Sequence, residues 1–264
     1  MTDGLSLAVV VAHPDDDAYG MAGMVALHAD DPGFRFILIH ATDGGAGDIR
    51  EDFPATRETL GRIRQQEDED GWRALGREPD RHEWLGYPDG EVDQVPFDDL
   101  VDVIATILEE EQPTVVGTFG PDGIFGHPDH ITIGAATDAA FARHASMTGT
   151  AFRRLLHSAI PESVFERWQQ QRAEKGMWLW DPTRVYHMRG VPDKEIGLFV
   201  DTSSVAHRTV AGLMKHESQH HVMFDYPVDV DRWEKIMRRD WAVVAWPERS
   251  SASPVLTDLF EGLP

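Results

Sequence analysis

The chain has 264 residues, 41% of them hydrophobic, which is enough apolar material to fill the core of one α/β domain. Its 46 Asp and Glu outnumber 24 Lys and Arg, and the resulting charge of −22 opposes binding to nucleic acid or anionic membranes; we read it as surface adaptation for solubility or salt. With no Cys, disulfides, thiol catalysis and thiolate metal cages are excluded, and the composition fits a cytoplasmic protein.

The start, residues 1–4, carries no positive leader, and residues 5–11 form a β-rich run too short to cross a membrane, closed by a His-Pro turn. Residues 18–29 have helical composition, with Met21, Met24, Val25 and Leu27 apolar. Residues 34–40 repeat the buried-strand pattern, a glycine-rich loop runs from Thr42 to Asp48, and a long polar helix is expected over 55–75, ended by Gly76. The run Glu67-Asp68-Glu69-Asp70 is expected on the solvated face of that helix. A short strand near 83–85, the turn Tyr87-Pro88-Asp89-Gly90, a helix over 97–111 and a strand over 114–119 follow. The alternation predicts a Rossmann-like, doubly wound, mostly parallel sheet with helices on both faces.

Beyond Ala145 the pattern predicts a strand over 153–159, a helix over 162–173, a Trp-rich loop through Trp178 and Trp180, and strands at 185–188 and 196–200. A helix over 203–216 and a final stretch carrying Trp233, Trp241 and Trp246 complete the chain. There is no repeat, low-complexity linker or composition break. Residues 1–264 therefore read as a single domain, with a doubly wound core to about 145 and a sheet extension that roofs the cleft from about 146 onward.

Ligands of such sheets bind outside the carboxyl ends of the strands. Two His-Pro-Asp clusters fall there, His13-Pro14-Asp15-Asp16-Asp17 and His127-Pro128-Asp129-His130, as do the glycine-rich loop and the Pro-Asp-Gly turn. His13, Asp16 and His130 make a two-histidine, one-carboxylate metal site with an open position for water. Asp15 is placed to act as general base. His127, if not a ligand, sits where an imidazolium could stabilise an oxyanion or protonate a leaving group, with Asp129 orienting it. Asp17 reads as a helix N-terminal acid. The glycine-rich loop lacks the Gly-x-Gly-x-x-Gly spacing of a dinucleotide site, the His216 to His221 tract reads as a helix end, and the eight Trp read as core and cleft walls.

The blocks Ala12-His13-Pro14-Asp15-Asp16, Thr42-Asp43-Gly44, Arg64-x-x-Glu67 leading to Leu75-Gly76, Pro88-Asp89-Gly90, Gly126-His127-Pro128-Asp129-His130 and His216-x-Ser218-Gln219 together resemble the LmbE/PIG-L zinc deacetylases, in order, from about residue 5 to about 220. The resemblance implies one Zn2+ per chain, or Fe2+, on His13, Asp16 and His130, with Asp15 as base and His127 as electrostatic acid. It adds Arg64 and Asp89 as substrate contacts, although Arg64 can also be read as an i,i+3 partner of Glu67 on an exposed helix. It implies a small-molecule amino-sugar substrate of N-acetylglucosamine type and allows a homo-oligomer. One position departs from the mycothiol-pathway members: where they carry Tyr, this chain has Phe125, so no hydroxyl is available there. The rival expectations are an amidase acting on a larger thiol conjugate or lipid-linked amide, and a non-catalytic, metal-stabilised carbohydrate-binding module.

Overall fold

The computed structural model describes residues 4–224, 228–250 and 252–263; the chain start read above as leaderless lies outside them for residues 1–3. Seven strands form one sheet: β1 Ser6–Val11, β2 Arg35–His40, β3 Arg81–Trp84, β4 Val115–Phe119, β5 Arg154–Ser158, β6 Ile196–Asp201 and β7 Arg239–Trp246. The helices are α1 Asp16–Gly20, α2 Ala22–Leu27, α3 Arg57–Leu75, α4 Phe97–Glu111, the kinked single turn α5 Gly123–Gly126, α6 Pro128–Ala142, α7 Glu162–Glu174, α8 Ala206–Leu213, α9 His220–Met223 and α10 Val230–Ile236. Among the described residues no helix is long and apolar enough to cross a membrane.

The strand order is β3-β2-β1-β4-β5-β7-β6. The first five are parallel and β7 runs antiparallel to both neighbours, giving a mixed sheet within an α/β fold. All six residues of β1 are buried, as expected of a central strand covered on both faces. The chain winds outward from β1 through β2 to β3, then crosses back to place β4 on the other side of β1, so the winding direction reverses between β1 and β4.

Several elements follow the sequence closely. Helix α4 spans Phe97–Glu111 and buries Leu100, Val101, Ile104 and Leu108 at helical spacing. Helix α3 starts with a Thr56–Thr59 capping box and ends at Gly76, whose φ of 90° suits glycine. Others differ. The helix expected over 18–29 breaks at Met21, whose φ of −137° leaves the helical region, and the Met24 amide in the first turn beyond the break donates to the Asp240 carboxylate at 3.0 Å. The strand expected at 185–188 is a turn, with Tyr186 at φ 63°. The helix expected over 203–216 shortens to α8, followed by a 3-10 turn over Glu217–Gln219. The acidic run on α3 is not one solvated face: Leu60, Arg64, Asp68 and Trp72 recur every four residues and form the buried stripe.

Asp240 is 4% exposed, and burial pushes its carboxyl up to about 7, opposed only by the Met24 amide. The fold thus favours the neutral acid. Stability should fall as pH rises from the ordinary carboxylate value through about 7, where the folded group ionises. Asp240→Asn is expected to raise Tm by about 5 °C or more at pH 8, with the gain shrinking toward pH 4, as read by thermal denaturation at both pH values.

Candidate active site

Because β1 and β4 are neighbours in parallel register, Leu7 with Val115 and Val9 with Gly117, the turns leaving their carboxyl ends open onto one crevice. After β1 the chain turns through His13 and Pro14 into α1, and Asp15 sits before that helix at φ 101°, a conformation uncommon for a side chain and concentrated at functional sites. After β4 it passes through α5 to His127, which caps α6 by accepting the Asp129 amide on Nδ1 at 3.1 Å. Pro128 occupies the first helical position, where no N–H is needed. His130 follows in the first turn, 1% exposed.

Three donor groups meet between these turns. His13 Nδ1 lies 3.2 Å from Asp16 Oδ2 and 3.1 Å from His130 Nε2, and His130 Nε2 lies 3.2 Å from Asp16 Oδ1. Zinc bonds of about 2.0–2.1 Å in tetrahedral geometry set ligand atoms roughly 3.3 Å apart, close to each of these distances, the two from Asp16 ending on different oxygens of its carboxylate. Hydrogen bonds select the tautomers. His130 Nδ1 donates to the Gly123 carbonyl at 3.2 Å, which leaves Nε2 with its lone pair. His13 Nε2 lies 3.0 Å from Asp89 Oδ1 and 3.4 Å from Asp129 Oδ2, so it carries the proton and leaves Nδ1 bare.

Two bare nitrogens facing each other beside a carboxylate form a cation-binding set. With no cation, burial opposes charge on His13, yet the hydrogen bonds its ring donates to Asp129, Asp16 and Asp89 hold it well above the usual imidazole range, so a second proton on Nδ1 stands where a metal ion would and the cluster calls for positive charge at this point. Two other groupings share His13: one with His127 and His130, the other with Asp89 and Asp129, each within 4.8 Å. Of their extra members, Asp89 takes the Ala46 amide, Asp129 takes the amides of Gly90 and Val92, and His127 uses Nδ1 for the Asp129 amide.

Beside the triangle lies Asp15. Burial pushes its carboxyl up to about 7 against the pull of Arg64, whose Nη2 donates to Asp15 Oδ2 at 3.1 Å. Arg64 is 6% exposed; it also donates to the carbonyls of Pro14 at 2.6 Å and Gly44 at 2.9 Å. A Cβ on Gly44, at φ +68°, would stand 2.5 Å from the guanidinium, so this loop position needs glycine. His127 is pushed down to about 4, first by burial and then by His13 and His130, which holds it neutral; with Nδ1 accepting, its proton is on Nε2.

The expected site residues thus lie together, with some partners the sequence did not indicate. Arg64 faces inward to Asp15 and not to Glu67, whose two oxygens take the Ser218 amide and hydroxyl at 2.7 and 2.6 Å. Both Asp89 oxygens are engaged, Oδ1 with His13 and Oδ2 with the Ala46 amide at 2.7 Å. Asp129 meets His127 through its backbone amide, while its carboxylate serves His13 and the Gly90 turn. Asp17 is in the first turn of α1 but is 1% exposed, bonded to Trp72 and His40.

The sequence did not point to Tyr186. Its ring stands edge-on to His127 at 5.2 Å, and its amide donates to the Phe125 carbonyl at 2.8 Å, joining the Trp-rich loop to α5.

Residues 8–141 match a family described as PIG-L: GlcNAc-PI de-N-acetylase. The chain belongs to this family. Among curated relatives of this PIG-L chain, 1D-myo-inositol 2-acetamido-2-deoxy-alpha-D-glucopyranoside deacetylase 1 of Frankia casuarinae is 27% identical over 97% of this chain and 94% of its own. Among solved structures, N,N'-diacetylchitobiose deacetylase of Pyrococcus horikoshii superposes with a TM-score of 0.57 at 22% identity, over 89% of this chain and 76% of that one. GalB, the 4-carboxy-2-hydroxymuconate hydratase of Pseudomonas putida, also superposes, with a TM-score of 0.58 at 17% identity over 95% and 100% of the two chains. The scaffold by itself therefore does not select one reaction.

Arg64→Met removes the buried donors to Pro14, Gly44 and Asp15. It is expected to lower Tm by about 5 °C and catalytic efficiency at least roughly tenfold, with bound metal retained, as read by calorimetry, steady-state kinetics and elemental analysis.

Proposed function

We propose that the chain is a metal-dependent hydrolase that removes the acetyl group from an N-acetylated amino sugar of N-acetylglucosamine type. The convergence of two bare imidazole nitrogens and one carboxylate within 3.2 Å, with a second carboxylate beside them, is the observation that carries this reading. The named activity of the Frankia relative supports the substrate class. His13, Asp16 and His130 would hold one Zn2+, or Fe2+, which when bound supplies a Lewis acid that acidifies water and polarises a carbonyl.

The protein groups account for the proton and charge movements. Asp15 accepts the proton of the attacking water as the oxygen adds to the amide carbonyl carbon. Arg64 fixes the Asp15 carboxylate during this step. Charge that develops on the carbonyl oxygen is met by the Nε2–H of neutral His127, held in that tautomer by the Asp129 amide. No imidazolium is needed, and Phe125 contributes no hydroxyl. Asp15 then returns its proton to the nitrogen as the C–N bond breaks, releasing acetate and a free amine. Asp89 and Asp129 keep His13 in its binding tautomer. Tyr186, 63% exposed, would form one wall for the sugar or its aglycone.

Exposed Trp178, Leu179, Val185 and Tyr186 on the loop that meets α5 favour, as a second reading, a substrate with a bulky apolar group. Acetate release from a panel of N-acetylglucosamine derivatives supports the first reading; cleavage of larger acyl amides without acetate release would replace it with the second. Chelation that unfolds the protein would favour a binding module over an enzyme.

Asp15→Asn is expected to abolish turnover with the metal content of the wild type unchanged, as followed by acetate release and elemental analysis. His127→Ala should reduce kcat by on the order of a hundredfold, again with metal retained, consistent with loss of one oxyanion donor. Loss of metal from the His127 variant would instead make that residue a ligand.

A further inference from the structure

A second cluster of histidine and carboxylate lies where β2 and β3 meet α3. It is built from His40 at the end of β2, His82 on β3 and Asp68 on α3, with Asp17 behind them. We propose that His40, His82 and Asp68 form a second divalent-cation site, of the kind that takes zinc, separate from the catalytic one.

The argument begins with His40, which is fully buried. Its Nε2 lies 3.3 Å from Asp17 Oδ1, and Asp17 is itself held by the Trp72 indole N–H. That carboxylate places the His40 proton on Nε2 and leaves Nδ1 bare, the second-layer support usual for a metal-bound imidazole. Trp84 stacks on the same ring at 4.3 Å and fixes its plane. The bare Nδ1 faces His82 Nε2 at 2.9 Å, and His82 is kept neutral, pushed down to about 3 first by burial and then by His40.

A simple hydrogen bond between the two imidazoles would account for those nitrogens. It would not account for Asp68. This side chain is 1% exposed, neither oxygen has a partner among the described residues that meets hydrogen-bond geometry although the Asp17 carboxyl and the Asp15 amide lie near, and the two face the Nε2 atoms of His40 and His82 at 3.8 Å each. An unpartnered buried carboxylate is strongly unfavourable. A cation bound by one ring nitrogen of each histidine and one Asp68 oxygen, ligand atoms that lie within 4.8 Å of one another, resolves all three groups together. Two imidazoles and a carboxylate without Cys suit zinc or a neighbouring transition metal more than calcium or magnesium.

Two other occupants compete. With no cation, burial and then the charge of Asp17 hold Asp68 protonated, well above the usual carboxylate range, so a proton shared with Asp17 could fill the role. A cavity of about 10 Å3 beside Asp68, lined also by Trp72, Thr209 and His216, has room for one water, which would hydrate the carboxyl without neutralising it. Ion entry is open from one side, since the His82 side chain is 15% exposed. The ion would tie β2, β3 and α3 together and, through Asp17, to the helix that follows Asp15 and Asp16.

The test is metal stoichiometry. Full-length protein incubated with excess Zn2+, passed over a chelating resin and analysed for metal should retain two equivalents. His82→Gln and Asp68→Asn should each retain one, and His130→Ala should also retain one. The His130→Ala, His82→Gln double variant should retain none, and Co2+ loaded into His130→Ala should give visible d–d absorption that is lost on adding His82→Gln. A wild type that holds a single equivalent, or His82 and Asp68 variants that both keep two, would overturn the proposal. Failure of the His130 arm alone would instead count against the catalytic assignment. Wild-type stoichiometry and the Co2+ spectrum decide the matter even if one variant does not fold.

Discussion

Everything in the crevice depends on the pairing of β1 with β4. The two His-Pro-Asp turns are more than a hundred residues apart in the chain, and neither alone offers more than a fragment of a metal site. Parallel register brings His13 and His130 to 3.1 Å because the strands are adjacent and both turns leave the same end of the sheet. Complete burial of β1 on both faces and of all five residues of β4 locks that register, since sliding a strand would expose apolar side chains and break its ladder.

Around this pairing the fold gathers an unusual amount of buried negative charge. Asp15, Asp16, Asp17, Asp68, Asp89 and Asp129 lie within one region, in a chain whose net charge is already −22, and Arg64 is the buried guanidinium bonded among them. Carboxylates in low dielectric are tolerated when paired with cations or supplied with N–H donors. Asp129 and Asp89 use backbone amides and His13; Asp17 uses Trp72 and His40. The remaining demand for positive charge falls at the two places where bare imidazole nitrogens also point, so electrostatics of the fold and chemistry of the site ask for the same ions.

The neutral state of His127 follows from the same environment. Burial first, and then the neighbouring His13 and His130, disfavour a positive charge on it, while the Asp129 amide fixes which nitrogen keeps the proton. In the proposed reaction the residue is then a preorganised N–H donor. Asp15 is the contrasting case, a carboxyl raised toward neutrality but still steadied by one guanidinium.

Much of this was legible in the chain itself because it rests on local rules. Apolar runs with β-branched residues marked β1 and β2, 3.6-residue periodicity marked α4 over its full length, and Gly76 marked the end of α3. Motif spacing brought out His13, Asp15, Asp16, His127 and His130, because each His-Pro-Asp turn is short enough for its geometry to be encoded in consecutive residues. What the tertiary structure alone decided was the partner of each polar group. Arg64 turned out to serve Asp15 and two carbonyls, Asp68 fell on the buried stripe of an outwardly polar helix, and His40, His82 and Tyr186 gained their places through strands and loops distant in sequence. Hydrogen bonding and desolvation depend on what packs across the gap, and a linear sequence specifies only what stands on one side of it.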